Sequence, residues 1–381
     1  MTANLLKPPS YQIVSEVRRV QYLPCMLLTS LSLHHFRCHI DLDDIAIGEQ
    51  VTLISGENAR GKTSILEAIY LLSHGRGFRE DEELELLTFG ASSGYVNGRY
   101  IDTQSHEASV TYQRQEEKLA KKYLLNKAAT TVSKFRTIQT PAVLFAPHQL
   151  DIVTHSPSYR REYLDTTIGR IDPIYAKSVR EYGVAIRKRN MILETITSDL
   201  ELEEQLQFWD SYLIERATII TSARQAYITM LHEHPVCARR AFRVVYHANH
   251  FSREHLESTR SAERHARRTL IGPQKDDFEI LICEDEKKFA NQSQYRNVQR
   301  YGSRSQQRLA LLWLKLAEID HLKNRLHVSP LLLLDDIFSE FDPAHQQIIY
   351  SLLPHYQTVI TSTEDHLPAL QSGSEVVEIR V

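Results

Sequence analysis

Residues 56–64 combine two glycines, a lysine and a threonine at a spacing that suits phosphate chemistry. The pattern is GxxxxGK[ST], and its members are Gly56, Glu57, Asn58, Ala59, Arg60, Gly61, Lys62 and Thr63, followed by Ser64. In such a loop, successive backbone N–H groups and the positive end of the following helix face an anion. Lys62 would reach the β and γ oxygens, and the Thr63 hydroxyl would bind Mg²⁺. The sequence therefore predicts a site for ATP or GTP.

A second group of candidate residues ends the apolar run 331–334, where Asp335 and Asp336 follow four leucines. A short apolar run is typical of a buried parallel strand, and such strands present ligand-binding residues at their carboxyl ends. We expect Asp335 to hold the hydration shell of Mg²⁺ and Asp336 to act as a general base or to position water for attack on the γ-phosphate. The predicted catalytic residues are therefore Lys62, Asp335 and Asp336, and the predicted metal ligands are Thr63 and Asp335.

The elements that must position these residues can be predicted from hydrophobic periodicity. A strand ends at about residue 55, a helix follows from Thr63 to about residue 73, and a final strand covers residues 358–361. Alternation between residues 95 and 125 is typical of an antiparallel sheet with one solvated face. Apolar residues recur every three or four positions between residues 158 and 234, which predicts helices, and β-like residues return at 278–282. The predicted fold class is α/β, with a parallel sheet, an antiparallel β lobe and an inserted helical arm.

Composition limits the possible classes of function. The 381 residues carry a formal net charge of −3, which gives no overall attraction to nucleic acid, so any DNA contact must come from local basic patches. The candidates are 187–189 and the arginines at 264, 267 and 268, although such runs are more often solvated helix faces. No apolar run is long enough to span a bilayer, and the four cysteines lack CxxC spacing. We therefore expect a cytoplasmic protein without a membrane role.

Three further segments place the predicted nucleotide site in a known class. They are residues 301–308 at the start of a predicted helix, residues 339–342 after the two acids, and the strand 358–361. In that order they resemble the signature motif, D-loop and switch strand of an ABC-type ATPase. Most of the chain resembles the RecF family of bacterial recombination-repair ATPases. The matching segments are LSLHHFR (31–37), LEAIYLLS (66–73), RREYLD (160–165), GPQKDD (272–277) and LKLAEI (314–319).

The resemblance implies an ABC-type head formed by residues 26–155 and 269–381, a helical arm at 156–268 and an N-terminal extension at 1–25. It implies a homodimer in which the signature helix of one copy caps the ATP held by the other copy. RecF-like dimers clamp double-stranded DNA near single-strand gaps in recombinational repair and replication, and assist RecA loading with RecO and RecR. The nucleotide contacts that the resemblance adds are Arg37, Ser303, Ser305, Gln306, Ser339 and Asp342.

Two positions beside the predicted nucleotide depart from the family pattern, because Ala59 and Ser305 stand where glycine is usual. If either position needs a positive φ or a close approach to phosphate, the extra Cβ costs on the order of 1 kcal/mol. We therefore predict slow ATP hydrolysis. Two alternatives remain open at this point: a non-hydrolysing ATP-binding scaffold for a protein partner, and the ATPase subunit of a nuclease or defence system.

Overall fold

The computed structural model describes residues 26–79, 83–284, 294–363, 370 and 375–381. The predicted N-terminal extension at residues 1–25 lies outside this part of the chain. The described residues form two compact units. We call residues 26–149 and 318–381 the Walker unit, and residues 150–317 the signature unit.

Strands dominate the first third of the described chain, and helices dominate the middle. The strands are β1 (Leu27–Phe36), β2 (His39–Ala46), β3 (Val51–Ser55), β4 (Ser93–Ile101), β5 (Ser105–Gln115), β6 (Lys118–Leu125), β7 (Ala128–Thr130), β8 (Ala142–Phe145), β9 (Val236–Cys237), β10 (Arg240–His247), β11 (Asp277–Cys283), β12 (Arg296–Asn297), β13 (Leu331–Asp335), β14 (Thr358–Ser362) and β15 (Val376–Arg380). The α-helices are α1 (Lys62–His74), α2 (Val132–Ile138), α3 (Asp151–Thr154), α4 (Pro157–Ile171), α5 (Pro173–Thr195), α6 (Asp199–Leu231), α7 (Arg253–Ala266), α8 (Val298–Tyr301), α9 (Arg304–Leu326), α10 (Ile337–Glu340) and α11 (Pro343–Leu352).

The Walker unit contains two sheets. A parallel sheet has the strand order β15-β3-β14-β13-β8, and an antiparallel sheet has the order β2-β1-β4-β5-β6-β7. Every residue of β13 and β14 is buried, as expected for central parallel strands that are covered on both faces. The predicted α/β fold class, with its parallel sheet and antiparallel lobe, is confirmed.

Helix α1 forms the centre of the core of the Walker unit. It contacts strands of both sheets, and every one of its residues except Thr63 is buried. Its leucines and isoleucines belong to the same hydrophobic cluster as the inward-facing residues of β1, β4 and β5. Because α1 begins directly after the predicted phosphate loop, this packing fixes the end of the loop in place.

The signature unit is mainly helical, as the arm periodicity predicts. Leu202, Leu206, Leu213 and Ala217 are all buried on one face of α6, whereas Trp209 is only half-buried. A small antiparallel sheet, β12-β11-β10-β9, completes this unit. No helix in the described ranges is both long enough and apolar enough to cross a membrane.

Two of the segments that carry the family resemblance meet in a buried ionic network of the signature unit. Arg224 on α6 donates from Nη1 to Asp276 at 2.7 Å and from Nη2 to Asp165 at 2.9 Å. Asp276 is fully buried and also accepts the backbone N–H of Asn249 at 2.7 Å. Breaking a buried pair leaves an uncompensated charge, which is strongly destabilising. The aspartates of these segments therefore help to hold α4, α6 and the start of β11 together.

Candidate nucleotide-binding site

The loop between β3 and α1 has a backbone that requires glycine at both ends. Gly56 has a φ of +150° and Gly61 a φ of +92°, where Gly61 is also the N-cap of α1. A Cβ on Gly61 would lie 2.5 Å from His39 Nε2 and 2.6 Å from Cys38 Sγ. A side chain at this position would therefore push apart the turn between β1 and β2 and the start of α1.

Lys62 lies across this loop instead of extending into solvent. Its Nζ donates to the carbonyl oxygens of Gly56 at 2.7 Å and Glu57 at 2.8 Å, and the residue is only 7% exposed. Carbonyl oxygens satisfy the donors of an ammonium group but do not neutralise its charge. The site therefore suits an anion, and the polyphosphate of a nucleotide fits this requirement.

Thr63 and the first acid of the 335–336 pair meet, although 272 residues separate them. The hydroxyl of Thr63 donates to Asp335 Oδ1 at 2.8 Å, and the hydroxyl of Thr361 donates to the same oxygen at 2.8 Å. Asp335 is 7% exposed. Hydroxyl and carboxylate oxygens are hard ligands of the kind that Mg²⁺ prefers, so these residues fit a magnesium ion beside the loop.

Asp336 adopts a left-handed backbone conformation, with a φ of +48°, directly after β13. Its backbone N–H donates to the Thr361 hydroxyl at 3.0 Å, and its carboxylate accepts the Ser339 hydroxyl at 2.9 Å. Asp342 caps α11 by accepting the backbone N–H of His345 at 3.0 Å. Asp335, Asp336 and Ser339 are thus held in one connected network at the carboxyl end of β13.

Arg37 is held by an acid of α1. Its Nε and Nη2 donate to the two carboxylate oxygens of Glu67, both at 2.8 Å. Glu67 is fully buried, and it also accepts the guanidinium of Arg79 and the backbone N–H groups of Phe78 and Arg79. Burial acts to raise the pKa of Glu67, but the hydrogen bonds and charges of Arg37 and Arg79 outweigh it and lower the pKa. The carboxylate is therefore ionised and joins β1, α1 and the segment after α1.

Sequence reasoning did not identify the positioning roles of Glu67, Arg79, Thr361 and His39. Arg79 donates to the Ser64 hydroxyl at 3.2 Å, and the His39 ring is 3.0 Å from the Gly61 carbonyl oxygen. The one available signal was Glu67 itself, because an acid within the apolar sequence ILEAIYLL is rarely buried without a partner.

The backbone at Ala59 has a φ of +64°, whereas Ser305 lies within the first turn of α9. A left-handed conformation costs a non-glycine residue about 1 kcal/mol, but a helical serine carries no such penalty. Of the two departures from the family pattern, only Ala59 is therefore strained by its backbone.

Replacing Ala59 with glycine should relieve this strain. We expect Ala59→Gly to raise the free energy of unfolding by about 0.5–1 kcal/mol, measured by chemical denaturation without nucleotide. The matched control is Ala262→Gly on the exposed face of α7, which should lower the same free energy by about 1 kcal/mol because glycine is unfavourable inside a helix. A loss of stability in both variants would contradict the assignment of strain to Ala59.

Three further predicted contacts belong to the signature unit. Ser303 precedes α9, and Ser305 and Gln306 lie in its first turn. The Ser303 hydroxyl accepts the backbone N–H of Gln306 at 3.3 Å, and the Gln306 side chain accepts the backbone N–H of Ser303 at 2.8 Å. This reciprocal pair is a capping box, which fixes both side chains at the amino end of the helix.

The predicted DNA-contact clusters contain arginines with different surroundings. Arg189 is 2% exposed and is paired with Asp210 and Glu263, both at 2.7 Å. Arg187 and Lys188 are exposed on α5. The charge of Arg189 is therefore compensated within the arm, and the exposed members of this cluster are its two neighbours.

Comparisons with known proteins agree on one family. The model of the RecF/RecN/SMC N terminal domain matches residues 27–379. The DNA replication and repair protein RecF of Moorella thermoacetica is 32% identical over 355 residues, which cover 90% of this chain and 91% of that protein. RecF of an Exiguobacterium species is 31% identical over 361 residues, which cover 89% of this chain and 92% of that protein.

Two solved structures extend the comparison to the fold. The recombination mediator protein RecF-ATPrS in the RecFOR pathway superposes with a TM-score of 0.81 at 27% identity, covering 94% of this chain and 97% of that one. An Smc head domain from Pyrococcus furiosus has a TM-score of 0.50 at 15% identity, with 93% of each chain covered, and shows the fold alone. The fold is therefore that of an ABC-type head, and the RecF relatives include a structure described as RecF-ATP.

Proposed function

The chain belongs to the RecF family of DNA replication and repair proteins, and from this premise we propose that it is an ATP-dependent DNA-binding protein of recombinational repair. The observation that carries the proposal is the hydrogen bond between Thr63 and Asp335 beside the buried Lys62. It joins, from distant parts of the sequence, the two segments to which we assign the nucleotide site. ATP is the nucleotide that we assign to this site, with Mg²⁺ as its ion.

Residues of the loop and of the carboxyl end of β13 have separate roles in this proposal. Backbone N–H groups of residues 56–64 would face the phosphates, and Lys62 would exchange the loop carbonyls for phosphate oxygens. Thr63 and Asp335 would hold Mg²⁺, and the bound ion would supply positive charge to the phosphates. Ser339 keeps the Asp336 carboxylate in one orientation, so that Asp336 can accept a proton from an attacking water or align it.

Closure by a second copy is the switch in this proposal. Ser303, Ser305 and Gln306 at the amino end of α9 offer donors and a positive helix end to the nucleotide held by the other copy. Asp342 and Arg37 position two further elements at the same interface. Asp342 fixes the start of α11, and Arg37 fixes the turn between β1 and β2. A ligand shifts an equilibrium only by its differential affinity for the two states, and the γ-phosphate supplies that difference here.

Double-stranded DNA with a single-strand gap is the proposed target, and hydrolysis, made slow by the strained Ala59, times its release. RecO, RecR and RecA are the proposed protein partners, because RecF relatives act in the RecFOR pathway. A protein with this role works where the bacterial chromosome lies, so we propose a cytoplasmic location. The strain at Ala59 also favours a second candidate, a scaffold that binds ATP without hydrolysing it.

The oligomeric state tests the switch. In sedimentation velocity, the wild-type protein should be monomeric without nucleotide and should dimerise when Mg-ATP is added. Mg-ADP should not substitute, because it lacks the γ-phosphate. A sedimentation coefficient that ATP does not change would reject the closing dimer and leave the scaffold.

A further inference from the structure

The amino end of α9 is held by more than its capping box. The side-chain amide of Gln306 uses both of its ends: Oε1 accepts the backbone N–H of Ser303 at 2.8 Å, and Nε2 donates to the carboxylate of Glu284. Glu284 directly follows β11 and is itself paired with the Arg240 side chain. Arg240 Nη1 also donates to the Glu284 carbonyl oxygen at 3.2 Å. A chain of polar contacts thus leads from the small sheet to Ser303.

The sheet explains why Arg240 and Glu284 meet. Strands β10 and β11 are antiparallel, and Ala241 lies opposite Cys283. The next residue pair in this register is Arg240 and Glu284, one position beyond the ladder. Cross-strand neighbours of opposite charge stabilise each other, so the carboxylate is directed by the sheet and not by α9.

The carboxylate determines which way the Gln306 amide faces. An amide has one accepting oxygen and one donating nitrogen, and the two orientations fill the same space. Because the Glu284 carboxylate only accepts, Nε2 must face it, and Oε1 must then face the Ser303 N–H. Without the carboxylate, a flipped amide would present N–H to N–H and open the capping box. The Ser303 hydroxyl accepts from the Gln306 backbone and keeps its own hydrogen to donate.

The body of α9 is anchored independently of this contact. The Trp313 ring stacks on Phe242 with centroids 5.1 Å apart, and its Nε1 donates to the His234 carbonyl oxygen at 2.8 Å. Trp313 is 1% exposed. Removing Glu284 should therefore leave the helix in place and affect only its first turn.

We propose that Glu284 is a positioning residue for the ATP-dependent dimer: it acts through the Gln306 side chain to fix the backbone of Ser303, and thereby the position from which the Ser303 hydroxyl donates. The inference rests on the proposed function, in which Ser303 meets the nucleotide held by a second copy. Glu284 touches neither nucleotide nor reacting atoms in this proposal. Glu284 determines whether the amino end of α9 presents Ser303 in a single orientation.

The test uses the full chain with Glu284→Ala, Glu284→Gln and the control Glu279→Ala. Glu279 lies on β11 and is paired only with His247 at 3.7 Å in the described contacts, so its loss should not affect α9. Sedimentation velocity with Mg-ATP gives the dimer dissociation constant. Titration with a fluorescent ATP analogue, at protein concentrations below that constant, gives the affinity of the loop, and thermal unfolding reports the fold.

We expect Glu284→Ala to weaken the dimer about tenfold, the effect of losing a hydrogen bond to a charged group. Affinity for the analogue should stay within about twofold of wild type, since the loop belongs to the other unit. Glu284→Gln should weaken the dimer less than Glu284→Ala does, because the glutamine oxygen can still accept from Gln306, whereas the glutamine nitrogen also permits the flipped amide. Glu279→Ala should match wild type in all three measurements.

Three results would overturn the inference. If Glu284→Ala dimerises with ATP as wild type does, the residue has no positioning role. If Glu284→Ala and Glu284→Gln are equally impaired, or both unfold at lower temperature, the carboxylate is structural instead. If the wild-type protein binds the analogue but never dimerises, the proposed switch is wrong, and the inference about Glu284 is wrong with it. If the wild-type protein dimerises with ATP but the Glu284 variants do not behave as expected, only the inference about Glu284 is wrong.

Discussion

Lys62→Ala is expected to reduce affinity for ATP at least about 100-fold, the largest effect on binding that we predict. Lys62 is 7% exposed and its ammonium donates to two loop carbonyls, so the side chain is already largely removed from water before phosphate arrives. Truncating one partner of a buried charged contact costs about 2–5 kcal/mol, and about 2.7 kcal/mol corresponds to 100-fold. Equilibrium titration with a fluorescent ATP analogue measures this loss.

The matched control for this prediction is Lys122→Ala. Lys122 is exposed on β6, in the same unit, and its removal changes the net charge by the same amount. Its affinity for ATP should remain within about twofold of wild type, because exposed charges are screened by salt. Equal losses of ATP affinity in the two variants would mean that the net charge of the protein, and not the loop, attracts the nucleotide. Denaturation without ATP separates loss of binding from loss of fold.

Glu67→Gln is expected to lower the free energy of unfolding by about 3 kcal/mol, the largest effect on stability that we predict. Glu67 is fully buried and receives the Arg37 guanidinium at 2.8 Å on both oxygens. Glutamine keeps the shape but removes the charge, so the guanidinium of Arg37 would be left without its main carboxylate. Chemical denaturation measures the change.

Glu85→Gln is the control, because Glu85 contacts the same arginine but is 45% exposed and lies 3.5 Å away. Exposed ion pairs contribute about 0.2–1 kcal/mol, so Glu85→Gln should change the free energy of unfolding very little.

The pKa of Glu67 is lowered in the folded protein, so the contribution of Glu67 to stability is present above the pKa of an unfolded glutamate. This contribution to stability is lost as the pH falls through the pKa of Glu67 in the folded protein. The stability of Glu67→Gln should therefore fall less steeply with acid than that of wild type. Equal effects of the two substitutions would contradict the buried role of Glu67.

The loop and the acid pair could be predicted from sequence because both signals are local. An apolar strand, a glycine-containing loop and a helix follow each other within residues 51–74, and four leucines precede Asp335. The contact between Thr63 and Asp335 also follows from general principles, since parallel strands bring their carboxyl ends to one edge. These features need no knowledge of side-chain partners far along the chain.

The partners of charged side chains could not be predicted, because a charge alone does not say which opposite charge it will meet. Arg37 is equally suited to a phosphate or to a carboxylate, and the fold gives it Glu67. Arg189 belongs to a run of three cations, yet helical geometry turns it inward while Arg187 and Lys188 face solvent. The sequence also gave no sign that Ala59, and not Ser305, would adopt a positive φ.

Equilibrium binding to a gapped DNA duplex, at one fixed salt concentration with and without Mg-ATP, tests the central claim most directly. The account predicts that ATP increases the affinity of the wild-type protein and has no effect on Lys62→Ala. Salt must be held constant because phosphate contacts make every such affinity depend on it. Binding that is absent, or that is the same with and without ATP, would contradict an ATP-gated DNA clamp.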